Sequence, residues 1–328
     1  TFAHDTSNRI QSVVDNAGRS VEYTYDAEGT LSKVAYPDET DEQYTYDPNH
    51  RLLTMQDRRG NVWVSNQYDG TGRVVTQTLA DQTTWRFAYG TDVSGAATTT
   101  ITDPDGNDRR MIFDSVSKYT LSDTRGYGTP LAQTTSFARQ ASGLVNTRTD
   151  ALGRTTSYTY DALGNVTSVT RLSGTSDAVT THFTYTSDFS RLATITDPLG
   201  HQTTFDYKDG CLVQIRDPLG HSTTIACNSA GQPTDMRDAL GHVTHLTYRA
   251  YDLGAITDAL GRTTRFVVDT LGRVVSIKDP KGNISLRQYD SNDRVVEAID
   301  GLNRATKSVY DGNGNRSKVT LPSGAEIS

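Results

Sequence analysis

An aspartate followed three residues later by a glycine recurs along this chain and constrains its fold more than any other feature. The sequence has 328 residues with 33 aspartates and 27 glycines, and sixteen such pairs occur. A random arrangement would give about three, so the excess marks a repeat architecture. In the most regular part, Asp217, Asp238, Asp258, Asp279 and Asp300 lie 20 or 21 residues apart, which indicates a repeat of about 21 residues built from two half-units. The aspartates are Asp15, Asp26, Asp57, Asp69, Asp92, Asp103, Asp123, Asp150, Asp161, Asp197, Asp217, Asp238, Asp258, Asp269, Asp279 and Asp311.

Each Asp-x-x-Gly motif has the chemistry of a reverse turn. Aspartate at the first position of a type I turn hydrogen-bonds the backbone ahead of it, and glycine suits the last position or a left-handed bulge. We therefore interpret each motif as a hairpin turn. The best-defined repeat turns are Asp150 with Gly153, Asp161 with Gly164, Asp197 with Gly200, Asp217 with Gly220, Asp238 with Gly241, Asp258 with Gly261, and Asp279 with Gly282.

The segments between turns alternate with the period of a β-strand and show no sustained helical spacing. The arriving strand often ends in two aromatic residues spaced by one, which places both rings on the same face of the strand. The departing strand is rich in valine, isoleucine and leucine. The pattern predicts an all-β fold, an antiparallel meander of about 30 strands. The predicted aromatic rows include Tyr23, Tyr25, Tyr44, Tyr46, Tyr158, Tyr160, Phe205 and Tyr207.

Arginine often follows the turn glycine, as at Arg154, Arg262 and Arg273. Such a side chain can lie across a tyrosine ring or reach a turn carboxylate. A solvated arginine is an equally good interpretation, because exposed ion pairs contribute only about 0 to 1 kcal/mol.

Composition and regularity together favour a single array over residues 1–328, with about 15 repeats. Only 34% of residues are hydrophobic, which predicts a thin sheet with two partly wet faces instead of a thick core. The net charge of −7 disfavours nucleic-acid binding, and no apolar run is long enough to span a membrane. The least regular stretches, 108–149 and 171–181, are interpreted as loop insertions.

The ends of the chain also cut through the repeat. It starts at Thr1, ends at Ser328 just after a turn-like segment, and carries no recognisable signal peptide. We interpret it as a fragment of a longer shell. Repeat arrays lose stability at ends that have no capping repeat, so we expect the fragment to expose strand edges and to self-associate.

The phased Tyr-Asp-x-x-Gly units resemble the YD repeats of the Rhs family. The plainest is Tyr160-Asp161-Ala-Leu-Gly164-Asn165, with a degenerate unit at 289–294. Asp-Ala-Leu-Gly-Arg occurs at 150–154 and 258–262, and Asp-Pro-Leu-Gly-His at 197–201 and 217–221. As a phased array the resemblance covers nearly the whole chain.

This resemblance implies a curved β-strip that spirals into a hollow cocoon or barrel-like shell. In bacterial Rhs polymorphic toxins and insecticidal toxin complexes, such a shell encloses a C-terminal toxin, and in teneurins a similar barrel belongs to cell-adhesion ectodomains. This chain departs from the family because it has no PAAR-like delivery domain, no plug with self-cleavage aspartates and no toxin domain. The resemblance therefore implies that this chain is part of the wall of a shell and that it is exported from a bacterium.

No catalytic or cofactor-binding motif emerges from the sequence. His201, His221 and His242 share the position after the turn glycine, where they resemble a metal-binding row. Equivalent residues two strands apart lie roughly 9 to 10 Å apart, too far to share one ion easily. Repeated turn aspartates also share one environment, whereas acid–base pairs need different ones. We expect no enzyme activity, no metal and no cofactor.

The two cysteines, Cys211 and Cys227, flank the turn at 217–220. A one-residue bulge there would place them opposite each other on adjacent strands, with Cα atoms within about 7 Å. Their oxidation depends on the compartment, and we expect the reduced form.

Two functions from different classes fit this sequence. The first is a container whose wall encloses a C-terminal toxin, with the remaining shell repeats and delivery-apparatus proteins as further partners. The second is an extracellular adhesion or carbohydrate-binding module, teneurin-like or wall-associated, that recognises a glycan or a cell-surface receptor. The container is favoured because the aromatic rows are expected to pack within the sheet.

Overall fold

The protein is an all-β structure of 31 strands without a helix, as the sequence predicts. The computed structural model describes residues 1–328. Two compact units are formed, one by residues 1–84 together with 244–328 and the other by residues 85–243. Within each unit, strands pair antiparallel with their neighbours in sequence, as β3 does with β4 and β15 with β16. Because no helix is present, no helical segment crosses a membrane.

Most strands in both units have five to seven residues. In the first unit they are β1 Phe2–His4, β2 Ile10–Val14, β3 Ser20–Tyr25, β4 Leu31–Ala35, β5 Asp41–Tyr46, β6 Leu52–Gln56, β7 Val62–Tyr68, β8 Val74–Leu79, β23 Val243–Arg249, β24 Asp252–Thr257, β25 Thr263–Val268, β26 Val274–Lys278, β27 Ile284–Tyr289, β28 Val295–Ile299, β29 Ala305–Tyr310, β30 Arg316–Thr320 and β31 Glu326–Ile327. In the second they are β9 Thr84–Thr91, β10 Ala97–Thr102, β11 Asp108–Phe113, β12 Thr120–Arg125, β13 Gln133–Arg139, β14 Val145–Thr149, β15 Thr155–Tyr160, β16 Val166–Arg171, β17 Val179–Tyr185, β18 Leu192–Thr196, β19 Gln202–Lys208, β20 Cys211–Arg216, β21 Ser222–Cys227 and β22 Pro233–Arg237.

Most connections are five-residue hairpin turns with a common geometry. In the Asp150 turn, the Gly153 amide donates to the Asp150 carbonyl at 2.9 Å, and the Asp150 amide donates to the Arg154 carbonyl at 3.1 Å. Gly153 has φ of +77°, so the fourth position is left-handed and forms a one-residue bulge. At six turns a residue other than glycine takes this position with φ of 60 to 67°. These residues are Asn8, Glu39, His50, Gln82, Asp293 and Asn303.

The two edges of the sheet differ in strand register. We call the turns that follow odd-numbered strands the odd edge, and those that follow even-numbered strands the even edge. At the odd edge nearly every hairpin has a second register shift beside the turn, as between Thr159 and Tyr160 in the β15–β16 pair. The β14–β15 pair, on the even edge, has none. Because bulges bend a strand and increase its twist, the extra twist is concentrated at the odd edge.

The core is a thin half-buried layer on the aromatic face. In β3, Tyr23 and Tyr25 are half-buried, while the alternate residues Glu22 and Thr24 are exposed. No large side chain is fully buried, and the most buried apolar residues include Val34 at 6% exposure. The face that carries the aromatic residues is therefore the packing face.

One predicted turn is wrong. Asp123 lies within β12, where its carboxylate accepts hydrogen bonds from Arg109 Nε at 2.8 Å and from the terminal guanidinium nitrogen at 2.6 Å. A carboxylate engaged across strands in this way cannot close a turn. The chain instead turns after β12 through residues 126–132, beginning at Gly126 with φ of +63°.

The irregular stretch at 108–149 contains the predicted loop insertion at 126–132, between β12 and β13. The rest of the stretch forms four ordinary strands, β11 to β14, and its connection at 114–119 is one residue longer than the common hairpin turn. The second irregular stretch contains a loop at 172–178 between β16 and β17. The repeat therefore continues through both regions with altered turns.

The cysteines lie opposite each other on adjacent strands. Cys211 begins β20 and Cys227 ends β21, with their Cα atoms 6.5 Å apart, and the two are joined by a disulfide. The register that pairs Gln214 with Thr224 extends directly to them, because the turn bulge at Gly220 supplies the extra residue. The reduced state expected from the sequence differs from the bonded pair in the structure.

Candidate functional site: the two turn edges

The turn aspartate fixes its own hairpin through both carboxylate oxygens. Asp258 Oδ1 accepts the backbone amides of Leu260 at 3.0 Å and Arg262 at 2.9 Å, and its Oδ2 accepts Arg262 Nε at 2.7 Å. The pKa of Asp258 is lowered, first by the Arg262 amide and further by the guanidinium, which outweigh desolvation. The carboxylate is thereby kept ionised in the turn.

Histidine can take the place of this arginine. His201, His221 and His242 each place Nδ1 within 2.8 to 2.9 Å of an Oδ2 atom, and in each case the carboxylate belongs to the aspartate of the same turn. The three rings are exposed, and no group of three metal-ligating side chains is formed. Each histidine has the same local partner that arginine has elsewhere.

At the odd edge, one arginine links its own turn to the next repeat. Arg273 Nε donates to Asp269 Oδ2 at 2.8 Å, while its guanidinium carbon lies 4.8 Å from the centre of the Tyr289 ring. The two alternatives that the sequence left open, a carboxylate or a tyrosine face, are thus both realised by the same side chain. The same stacking pairs Arg9 with Tyr25, Arg51 with Tyr68, Arg191 with Tyr207, and Arg294 with Tyr310.

The tyrosine directly before an odd-edge turn also bonds the preceding repeat. The hydroxyl of Tyr289 donates to the Val274 carbonyl at 2.8 Å, and that of Tyr160 donates to the Val145 carbonyl at 2.8 Å. Val145 takes part in the register shift of the preceding hairpin. Equivalent bonds join Tyr25 to Ile10, Tyr68 to Leu52, Tyr185 to Val166, Tyr207 to Leu192, and Tyr310 to Val295.

The other predicted aromatic residues lie one position deeper in the same face. Tyr23 and Tyr158 pair across strands with Val34 and Val169, and Phe205 pairs with Ile215. The hydroxyl of Tyr44 donates to Glu42 Oε2 at 2.7 Å. Burial, followed by this carboxylate, raises the Tyr44 pKa, as burial does for Tyr46. The aromatic rows are therefore engaged within the sheet.

The even edge is more open. Arg154, Arg262 and Arg304 pair with their turn aspartates, but their side chains are 60 to 63% exposed, compared with 22% for Arg273 at the odd edge. Several even-edge turns also expose a leucine at the third position. These leucines are Leu152, Leu199, Leu219, Leu240, Leu260 and Leu302.

In the first unit, the even edge of the N-terminal segment meets the odd edge of the C-terminal segment. Asp38, in the turn between β4 and β5, is the centre of this contact. It accepts one terminal nitrogen of Arg58 at 2.7 Å on each of its oxygens, and its Oδ2 also accepts Asn292 Nδ2 and, at 3.3 Å, Arg294. Burial opposes ionisation of Asp38, but bonds from Thr40 and Arg58 outweigh it, so the pKa is lowered.

A second group of contacts extends the same interface. Arg19 bonds Asp293 Oδ1 at 2.9 Å, and Arg273 reaches the same oxygen at 2.7 Å. Arg19 is an even-edge arginine, yet its side chain is only 22% exposed because the other segment covers it.

A third group lies one turn further along. Asn313 Nδ2 donates to Asp57 Oδ2 at 2.7 Å. Beside it, a Cβ atom added to Gly312 would lie 2.6 Å from the Arg58 carbonyl oxygen, so only glycine fits without displacement. The residues that make this interface were not identified from the sequence. One sequence feature could have indicated it. Asn292 and Asn313, and the glycine at 312, stand in turns at positions where other turns carry leucine or alanine.

The RHS repeat family model matches three segments, residues 4–41, 132–176 and 289–326, and confirms the resemblance found in the sequence. A curated relative is a probable deoxyribonuclease RhsB from Dickeya dadantii strain 3937. It is 29% identical over 187 residues, which cover 57% of this chain and 10% of that protein. The chain thus spans about a tenth of the length of this relative.

Solved toxin-complex structures share the fold. A TcdB2-TccC3-Cdc42 structure has a TM-score of 0.71 at 16% identity, covering 98% of this chain and 21% of that one. A Photorhabdus luminescens Tc holotoxin pore has a TM-score of 0.70 at 14% identity, with the same two coverages. TcdB2-TccC3 without its hypervariable C-terminal region has a TM-score of 0.64 at 13% identity, covering 97% of this chain and 23% of that one.

Proposed function

We propose that this chain, which carries RHS repeats, is a segment of the wall of a toxin-enclosing shell that holds a C-terminal toxin before delivery. The wall itself performs no catalysis. The RhsB relative is a probable deoxyribonuclease, but this chain matches only 10% of it, so the match does not extend that activity to the repeats.

The edge-to-edge contact in the first unit is the observation that carries this proposal. A wall needs neighbouring layers of the β-strip to be held together. Backbone hydrogen bonds between strands connect repeats only along the strip, so contacts between layers must come from the turns. Asp38, Asp57 and Asp293 supply a second kind of joint, from turn to turn, between segments more than 250 residues apart in sequence. Charge-assisted hydrogen bonds of this type give geometric specificity as well as energy.

The partners follow from this role. We propose that the chain belongs to an exported bacterial protein and that it contacts further shell repeats, a toxin cargo and proteins of the delivery apparatus. The solved structures that share the fold include one of TcdB2-TccC3 with Cdc42 and one without the hypervariable C-terminal region.

Protease protection in the full-length protein tests the proposal. We expect the domain that follows the shell to resist protease while the joint is intact, and to be cut after Gly312→Val, which forces a side chain against the Arg58 carbonyl. Gly70→Val is the matched control, because Gly70 also follows a turn aspartate and has open space around it. A downstream domain cleaved equally fast in wild type and in Gly312→Val contradicts enclosure.

Adhesion or glycan binding through the aromatic rows is the alternative function. The hydroxyls of Tyr25, Tyr160 and Tyr207 bond backbone carbonyls within the sheet, which leaves these rings poorly placed as open platforms. A glycan array probed with the chain and with a Tyr23→Ala variant separates the two functions. Glycan binding that disappears in the variant would favour adhesion.

A further inference from the structure

The Cys211–Cys227 disulfide lies at the place in the repeat where other odd-edge hairpins carry an arginine and a tyrosine. Arg273 directly follows a left-handed turn glycine, and Tyr289 ends its strand sixteen residues later. Cys211 directly follows Gly210, which has φ of +88°, and Cys227 ends β21 sixteen residues later. The strand register shifts at Cys227 as it does at Tyr289. The disulfide therefore takes the place of the contact between the guanidinium and the tyrosine ring.

A contact between these two positions is kept even where the residues differ from the usual pair. At one hairpin the residue types are exchanged, because Tyr119 follows the left-handed Lys118 and Arg139 ends β13. The guanidinium carbon of Arg139 lies 4.9 Å from the centre of the Tyr119 ring. The odd edge thus keeps a link between neighbouring repeats at this point, and the cysteines supply it covalently. The usual pairs with the separation of sixteen residues are Arg9–Tyr25, Arg191–Tyr207, Arg273–Tyr289 and Arg294–Tyr310.

The cysteine link differs from the arginine–tyrosine links because it depends on oxidation. A thiol has no positive charge to place over an aromatic ring, and it is a weak hydrogen-bond donor. A reduced pair would therefore replace neither the stacking of Arg273 on Tyr289 nor the bond from the Tyr289 hydroxyl to the Val274 carbonyl. Reduction of Cys211 and Cys227 thus removes this link between repeats.

The disulfide holds strand ends that the backbone ladder does not reach. Pairing between β20 and β21 begins beside the even-edge turn and ends at Gln214 and Thr224, three residues before the cysteines. Cys211 is one of the most buried apolar residues, at 9% exposure, and Cys227 is half-buried on the packing face. The bond therefore connects the two strands at the odd edge, where they have left their ladder.

The turns beside the disulfide also lack the ion pair of other odd-edge turns. Arg273 donates to its turn aspartate at 2.8 Å, whereas Cys211 follows a two-residue connection at 209–210 and has no charge to bind a carboxylate. After β21, Asn228 Nδ2 donates to Gln232 Oε1 at 2.9 Å, which is a neutral hydrogen bond. Neutral hydrogen bonds are weaker than charge-assisted ones. The connection at this part of the odd edge therefore depends on the disulfide more than elsewhere.

We propose that Cys211 and Cys227 form a redox-controlled link between neighbouring repeats, closed in an oxidising compartment and open in a reducing one. A dithiol reductant transfers two electrons and two protons to the S–S bond, which gives two protein thiols and leaves the reductant as a disulfide. A disulfide-bearing oxidant reverses this exchange. Opening loosens the odd-edge ends of β20 and β21. For an exported wall segment the link closes outside the reducing cytoplasm, a consequence that rests on the proposed function.

Hydrogen–deuterium exchange of the 328-residue chain, before and after reduction with dithiothreitol, tests the link. We expect exchange at residues 211–213 and 225–228 to rise by about tenfold or more on reduction, because the cross-link that opposes local opening is lost. Exchange around Arg273 and Tyr289, whose link does not depend on oxidation, should stay unchanged. Titration of free thiols confirms that reduction is complete.

Two double variants serve as controls. Cys211→Arg with Cys227→Tyr introduces the usual pair and should exchange equally with and without dithiothreitol. Cys211→Ser with Cys227→Ser has no link and should exchange like reduced wild type under both conditions.

Four results would overturn the proposal. They are unchanged exchange at 211–213 and 225–228 after complete reduction, resistance of the folded chain to dithiothreitol, an equal rise of exchange across the whole second unit, and a serine variant that exchanges like oxidised wild type. Enclosure of a toxin is measured separately, by protease protection in the full-length protein, so either proposal can fail while the other stands.

Discussion

At the scale of the residue, the fourth position of each turn decides whether a hairpin closes. Gly220 has φ of +87°, and a Cβ atom added there would have no neighbouring atom within 4 Å, so its requirement is one of backbone conformation alone. His50, Asp293 and Asn303 reach the same left-handed region without being glycine. Asparagine, aspartate and histidine are the L-residues that enter this region most readily.

Substitutions at Gly220 should follow that order. Gly220→Ala is expected to lower the free energy of unfolding by about 1 kcal/mol, because alanine disfavours the left-handed conformation. Gly220→Asn should cost less, as asparagine adopts this conformation more easily. Urea unfolding monitored by circular dichroism measures both. An asparagine variant less stable than the alanine variant would show that space, not conformation, governs the site.

The turn carboxylates make stability depend on acid. The pKa of Asp300 is lowered, chiefly by the Arg304 side chain, and that of Asp279 chiefly by the Asn283 side chain. A carboxylate whose pKa is lower in the folded chain stabilises the fold above its unfolded value of about 3.9, and this contribution is lost as pH falls through the folded pKa.

We therefore expect the melting temperature to stay nearly constant from about pH 7 to about pH 5 and to fall below about pH 4. Thermal unfolding followed across this range measures the effect. Asp300→Asn should be less stable than wild type at neutral pH and should lose less on acidification. A melting temperature that rises as pH falls from about 5 to about 3 would contradict this assignment.

At the scale of the element, neighbouring hairpins are joined by more than their backbone ladder. The hydroxyl of an odd-edge tyrosine bonds a carbonyl of the preceding repeat, and an arginine from that preceding repeat lies over the same ring. Arg273 and Tyr289 show the full arrangement. Each repeat therefore holds the next at the edge where the register shifts, which ties the bulges to a fixed spacing.

Two tyrosines of β15 provide a matched test. The hydroxyl of Tyr160 donates to the Val145 carbonyl at 2.8 Å, whereas Tyr158 makes no such bond. Tyr160→Phe is expected to lower the free energy of unfolding by about 1 kcal/mol, because a half-buried carbonyl loses its donor. Tyr158→Phe should change it by less. Equal effects in chemical denaturation would mean that the ring alone, and not the hydroxyl, joins the repeats.

At the scale of the whole molecule, the first unit brings together segments from both ends of the sequence. The strand ladder is local, since each strand pairs with its neighbours, but the contact around Asp38 is not. It joins residues separated by about 254 positions through side chains of turns. Because the contacts described here are polar side-chain bonds at exposed turns, we expect this joint to open more readily than the strand ladder.

Gly312→Ala should loosen this joint selectively. The added methyl would meet the Arg58 carbonyl oxygen, whereas Gly70→Ala, at the equivalent turn position, would meet nothing. Hydrogen–deuterium exchange is expected to rise at residues 36–40, 57–61 and 311–315 in the first variant and to stay unchanged in the second. Unchanged exchange in both variants would show that the joint tolerates the displacement.

Much of this fold is readable from the sequence because the signals are local. Asp-x-x-Gly locates hairpins, and two-residue aromatic spacing locates the packing face. The turn at Leu79 was not predicted because its left-handed residue is Gln82 and not a glycine. The turn predicted at Asp123 is wrong because the Asp123 carboxylate binds Arg109 on a partner strand and not the backbone that follows it. The joint at Asp38 was invisible because its partners lie far apart in sequence, where no repeat pattern links them.

The contact around Asp38 also makes the structure of the first unit depend on the number of repeats between its two segments. Ladder pairing between like repeats carries no record of how many repeats precede it, so a gain or loss of about 21 residues would leave every strand with an acceptable neighbour. Asp38, Gly312 and Asn313 have counterparts in only a few other turns, and the contacts they make here form only when the number of intervening repeats is correct. These few turns therefore distinguish an array of the correct length from one that has gained or lost a repeat. A change in repeat number would require compensating substitutions at these positions.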